Sequence, residues 1–140
     1  MRKSRLALAI FIVTAAALAA YHLHATSVSA RHHPQRIMLV YVGAEDCAPC
    51  RSWERSAEPA FRASMLSSRI TYRVVKSPTL FAVLADENWP DDLKPLRAQL
   101  RPEAGVPLWM IIADDRLLTQ AFGETQWRES IMPRMSTLLK

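Results

Sequence analysis

The hydrophobic residues change rhythm several times along the chain. Leu6 to Ala20 is a run of 15 residues in which only Thr14 is polar, and it follows the basic residues Arg2, Lys3 and Arg5. A bilayer-crossing helix needs about 20 apolar residues, so this pattern fits the basic and apolar regions of an export signal better than a permanent span. Val28-Ser29-Ala30 and Leu23-His24-Ala25 each present small residues suited to cleavage. Residues 1–30 are therefore expected to be a signal peptide or an N-terminal membrane anchor, with removal the preferred reading. In either case the basic end stays in the cytoplasm and the rest is exported, giving a periplasmic or extracytoplasmic protein. Residues 31–36 form a linker.

Beyond the linker the rhythm becomes that of alternating strands and helices. Ile37–Val42 is a continuous apolar run, rich in β-branched residues and bounded by Gly43, which predicts a strand buried on both faces. From Ala48, the residues Trp53, Ala57, Ala60, Phe61, Ser64 and Met65 recur at three- and four-residue steps and predict a helix. Pro59 should kink or split it. Ile70–Val75 predicts a second strand, and Thr79–Ala85 and Asp91–Leu100 two short helices, the second capped by Asp91 or Asp92. Pro107–Ile112 predicts a third strand, 113–116 a turn, Leu117–Phe122 a hairpin partner, and Gln126–Leu139 an amphipathic helix interrupted by Pro133. The order β-α-β-α-β-β-α describes an α/β domain over residues 37–140, with a central mixed sheet flanked by helices.

Composition limits the partners. With 140 residues the chain has room for one such domain. The net charge of +5 is concentrated at the start: from Arg31 onward, 15 Lys and Arg face 13 Asp and Glu, interspersed without a basic stripe. Nucleic acid is excluded as the main partner on that ground. Gly43, Gly105 and Gly123 are too scattered to cradle a phosphate.

The chemistry narrows to the stretch Val40–Trp53, which holds both cysteines, Cys47 and Cys50, between the first strand and its helix. The helix N-terminus, with unpaired N–H groups and the positive end of the dipole, stabilises a thiolate. Cys47 is the expected exposed nucleophile, and Cys50, one turn on and more buried, the resolving thiol. Asp46 beside Cys47 opposes the dipole. A metal site would need further ligands, yet all four histidines, His22, His24, His32 and His33, lie ahead of the first strand and none in the domain. The same absence removes the usual base of a cysteine hydrolase. As a structural staple the pair closes too small a loop to stabilise much. Among the tryptophans, Trp53 and Trp109 are assigned to packing, while Trp89, in a polar turn, is a candidate groove residue that has folding back over the core as its alternative.

The apolar strand, Cys47-Ala48-Pro49-Cys50, the following helix and Gly105-Val106-Pro107 leading a hairpin that ends at Gly123 resemble the thioredoxin superfamily over about residues 37–140. The resemblance implies a cis proline at Pro107 facing the cysteines, with Val106 pairing its backbone with substrate. Asp46, Pro49, Val106 and Pro107 are accordingly the expected substrate-contacting residues. It also implies a thiol:disulfide oxidoreductase with no bound cofactor and no metal. Two departures stand out: Asp46 replaces the tryptophan of thioredoxin itself, and Tyr41 occupies the place of a buried aspartate held to help deprotonate the second cysteine. Pro49 before the second cysteine favours a reductant that acts on disulfides of exported proteins and is recharged by a membrane electron donor. A disulfide donor or isomerase, or a binding module without redox turnover, are the alternatives. The protein is expected to be a monomer with N-terminal membrane contact.

Overall fold

Strand β1, Ile37–Ala44, sends Leu39 and Tyr41 to one face of the sheet and Val40 and Val42 to the other, and all four are fully buried or nearly so. A strand apolar on both faces belongs at the centre of a covered sheet. The protein, known here from a computed structural model, is described over residues 34–140, within the second of two compact units, His33–Lys140. The proposed signal or anchor, its cleavage sites and the four histidines lie outside the described residues. Among the described residues, no helix is long and apolar enough to cross a membrane.

The sheet has four strands in the order β2-β1-β3-β4, where β2 is Thr71–Ser77, β3 Leu108–Ala113 and β4 Arg116–Phe122. The β1–β2 pair is parallel and the β1–β3 and β3–β4 pairs antiparallel, the mixed sheet anticipated from the element order. Helices α1 (Ala48–Ser56) and α2 (Glu58–Arg62) cover one face. They share it with the C-terminal segment, built from α4 (Glu124–Gln126), a π-helical turn (Trp127–Ile131) and α5 (Met132–Leu138). The core there is aromatic: Trp53 lies with ring centroids 4.5 Å from Tyr41, 5.1 Å from Trp109 and 5.0 Å from Trp127, mostly in tilted or edge-on arrangements. The opposite face packs Val40, Val42, Val75 and Met110 against Trp89, Leu93 and Leu96.

Several elements differ from the sequence pattern, each for a local reason. Strand β1 runs through Gly43 to Ala44 instead of stopping at Val42. Pro59, with no N–H to donate back into α1, splits the predicted long helix at Ala57 and starts α2 one residue later. Ala60 faces solvent within that helix, which ends at Arg62 and leaves Met65 exposed beyond it. The two helices predicted between the second and third strands reduce to 3₁₀ turns at Leu80–Ala82 and Asp86–Asn88 and one short helix, α3 (Lys94–Arg97). Neither Asp91 nor Asp92 caps α3: Asp91 pairs with Lys94 and Asp92 with Arg73, the latter pair holding the Asp92 carboxyl below its usual range. Thr79 caps the Leu80–Ala82 turn, its hydroxyl accepting from the Ala82 N–H at 3.3 Å. At the other end of the domain, the π turn places Pro133 in the first turn of α5, where a missing N–H is tolerated.

The β3–β4 connection is a tight turn with positive φ at both Asp114 (47°) and Asp115 (65°), a conformation Asp tolerates and one that matches strand twist. Asp114 accepts from the Gln35 and Arg36 N–H groups, and Arg36 pairs with Asp115 at 2.6 Å, so the chain entering β1 is fastened to this turn.

Candidate active site

Cys47 and Cys50 sit where β1 hands over to α1. Cys47 is the N-cap of α1, and its sulfur accepts from the Cys50 N–H at 3.1 Å. Pro49 lies in the first turn, where a proline leaves no helical bond unmade. The two sulfurs are joined in a disulfide with Cα atoms 5.2 Å apart. Among the described residues there is no free cysteine, and no three His, Cys, Asp or Glu side chains gather to hold a metal ion.

Across from the pair, the Val106–Pro107 peptide is cis, and the Val106 carbonyl oxygen lies 3.9 Å from Cys47 Sγ. Val106 packs on the small cluster formed by Ala44, Cys47 and Cys50. The Gly123 N–H holds the Pro107 carbonyl at 2.8 Å, anchoring this segment at the end of the β3–β4 hairpin. The structure thus brings Val106 and Pro107 to the cysteines. Asp46 and Pro49 are exposed at the same rim, but the Asp46 carboxylate is engaged, accepting from the Leu80 N–H at 2.8 Å. This bond ties the loop after β2 to the cysteine turn, as does the Glu45 N–H bond to the Ser77 carbonyl at 3.0 Å.

Cys47 is less exposed than expected. It is more accessible than Cys50, as the helix geometry requires, yet only 2% against 0%. In the oxidised pair each sulfur shields the other, and Val106 covers the remaining side. Trp89 is corrected more fully: it is 3% exposed and donates its ring N–H to the Val83 carbonyl at 2.9 Å, so it belongs to the core. The exposed apolar residues near the site are Leu80, Phe81 and Leu84, on the loop that Asp46 holds, with Phe81 fully in solvent.

The polar feature missed in the sequence joins β1, α1 and β2. The Tyr41 hydroxyl donates to Glu54 Oε1 at 2.8 Å, and the Lys76 ammonium donates to both Glu54 oxygens at 2.6 and 2.7 Å. Burial, followed by the bond and charge of Glu54, pushes the Tyr41 phenol well above its usual range. Two spacings carried the signal: Glu54 stands four residues after Cys50 on α1, and Lys76 pairs with Gly43 in the β1–β2 register.

A four-stranded mixed sheet, a Cys-x-x-Cys disulfide opening the first helix and a cis proline facing it define the thioredoxin-like fold. The chain is similar to the periplasmic thioredoxin SoxS of Paracoccus pantotrophus (TM-score 0.51, 15% identity, covering 74% of this chain and 95% of that one). It is also similar to the short form of thioredoxin f from spinach chloroplast (TM-score 0.51, 13% identity, 77% and 80% covered) and to a thioredoxin of Malassezia sympodialis (TM-score 0.50, 10% identity, 74% and 80% covered). No family model and no curated protein sequence matches the chain.

Proposed function

We propose that this protein is an extracytoplasmic thiol:disulfide oxidoreductase that reduces disulfides of exported proteins. The observation that carries the reading is the placement of Cys47 at the N-cap of α1, receiving the Cys50 N–H, with Val106 and cis-Pro107 alongside it. In the reduced protein that N–H and the helix dipole favour the Cys47 thiolate. The thiolate attacks one sulfur of a substrate disulfide, forming a mixed disulfide and releasing the other substrate sulfur, which takes up a proton. Cys50 loses its proton and attacks Cys47, giving the Cys47–Cys50 disulfide and a second substrate thiol. The two electrons come from the cysteines, so the cycle needs no bound cofactor and is closed by an external donor, for which a membrane protein is the proposal.

The location rests on the basic residues Arg2, Lys3 and Arg5 followed by the apolar run to Ala20. One of the similar structures is described as periplasmic. The exposed Leu80, Phe81 and Leu84 beside the cysteine turn give a polypeptide substrate an apolar surface to rest on.

The test is a Cys50→Ser variant incubated with a protein carrying one accessible disulfide. A stable mixed disulfide through Cys47, abolished in Cys47→Ser, is the expected result. If the Cys50→Ser protein stays folded and captures nothing, the oxidoreductase reading fails and a binding module takes its place.

A further inference from the structure

We propose that the outer edge of β2 pairs with the same edge of a second copy of this chain, antiparallel about Val74, joining two four-stranded sheets into one. This replaces the monomer expected from the sequence. Both β2 and β4 are edge strands, and among the described residues only β4 is covered. The Gln120 carbonyl accepts from the Arg101 guanidinium at 2.8 Å, and the Gln120 side chain bonds the Arg101 N–H and the Gln99 carbonyl, each at 3.0 Å. The β3–β4 register also breaks between Ile111 and Ile112. Covering and irregularity keep an edge from pairing. Strand β2 has neither: its seven residues run in unbroken parallel register with β1.

The direction of the backbone groups follows from one bond. The Ser77 carbonyl accepts from the Glu45 N–H, one residue beyond its register partner Ala44. Backbone groups alternate sides along a strand, so Thr71, Arg73, Val75 and Ser77 turn theirs toward β1. Tyr72, Val74 and Lys76 turn theirs outward, where nothing among the described residues bonds to them. Val74 stands at the middle of this set with its side chain 39% exposed. In an antiparallel pair centred on Val74, that residue exchanges both backbone bonds with its counterpart, and Tyr72 does the same with Lys76 of the second copy.

The strand is complementary to itself in this register. Val74 faces Val74, Arg73 faces Val75, Tyr72 faces Lys76 and Thr71 faces Ser77, so no like charges stand opposite each other. Both cations of β2 are already paired within their own chain, Arg73 with Asp92 at 2.8 Å and Lys76 with Glu54 at 2.6 Å. Neighbouring registers are worse. An axis at Arg73 sets two guanidinium groups opposite each other, and an axis at Val75 sets Tyr72 opposite Pro78, which has no N–H to give. Because the strands run antiparallel, the two cysteine turns lie at opposite ends of the joined sheet, each open to substrate. A seven-residue strand pair is at the small end of interfaces, so dimer and monomer exchange with concentration.

The experiment uses the full chain in mild detergent, with Cys47→Ser and Cys50→Ser so that one added cysteine is the sole thiol. Val74→Cys brings two Cα atoms about 5.5 Å apart across the axis, within disulfide reach. Thr71→Cys, equally accessible, leaves its counterpart roughly 20 Å away. Mild oxidation is expected to cross-link Val74→Cys several-fold more than Thr71→Cys. Equal cross-linking, or none in either, overturns the proposal, and it does so equally if the chains associate through another segment or the edge takes a different partner. Near-UV circular dichroism checks that the variants are folded. A second measurement keeps the native disulfide: light scattering across a dilution series, in which Val74→Lys sets two ammonium groups on the axis. The midpoint concentration for dimerisation is expected to rise roughly fivefold, the scale of one like-charge pair. A parent chain that stays monomeric, or a midpoint that Val74→Lys leaves unmoved, overturns the proposal.

Discussion

The hydroxyl of Tyr41 fills the space that a side chain at Gly43 would need. Any side chain at position 43 must therefore displace the Tyr41 ring on the same face of β1, and the strand continues through a glycine that its composition marks as a boundary. Gly43→Ala is expected to destabilise the domain by about 1–3 kcal/mol, the usual cost of overpacking, measured by urea unfolding. Adding Tyr41→Phe should recover part of that loss, because the two residues are in contact and their effects are not additive.

The tyrosines set an alkaline limit. Burial first, and then Glu54 for Tyr41 and Glu58 for Tyr72, raise both phenols above their ordinary value of about 10. The folded state therefore keeps protons that the unfolded chain releases. Stability is unaffected below about pH 10 and falls as pH rises beyond it, with a limiting slope of about 1.4 kcal/mol per pH unit for each tyrosine. Urea midpoints measured from pH 8 to 11.5 check this. A midpoint that holds steady to pH 11.5 would contradict it.

Phe81 separates substrate docking from chemistry. It is fully exposed on a loop tied to Asp46, the residue before Cys47, and has no packing partner to lose. Phe81→Ala is expected to slow reduction of a protein disulfide by roughly tenfold, the scale of one aromatic contact in an interface. Reduction of a small aliphatic disulfide should be unchanged. Equal slowing of both substrates would place Phe81 in the chemistry or in the fold.

Trp89 is the opposite case: a residue in a polar turn that the fold buries. Its ring packs with Val40, Val42 and Leu93 and donates to the Val83 carbonyl. Trp89→Ala should cost about 3–5 kcal/mol in urea unfolding, with the cysteine chemistry retained in the fraction that stays folded.

The parts legible in the sequence were those governed by local pattern. The apolar run of β1, the β-branched residues of β2 and the hairpin of β3 and β4 fixed the sheet. The cysteine spacing at a strand-to-helix junction, read with the resemblance, pointed to the fold and to a cis bond at Pro107. What pattern missed depends on contacts between distant residues. The stretch from Thr79 to Leu100 has helical composition, but Pro90 and Pro95 and side-chain bonds such as Asn88 to the Ala82 carbonyl at 2.6 Å hold it in turns. Trp89 is covered because that stretch folds over the second face of the sheet. The Tyr41–Glu54–Lys76 group draws one residue from each of three elements, and only strand register brings Lys76 beside Gly43.

Whether Cys47 and Cys50 form a working redox pair is decided by their equilibrium with dithiothreitol. The full chain is brought to equilibrium in buffers of graded potential, and the fraction of free thiol is read by alkylation and mass. The expected result is reversible, two-electron reduction of the folded protein, with a midpoint nearer the value of about −270 mV of thioredoxin than the value of about −120 mV of a strong oxidant. A midpoint at the oxidising end would reverse the proposed direction of electron flow. A folded protein whose disulfide fails to exchange at any potential would show that Cys47 and Cys50 are not a redox pair.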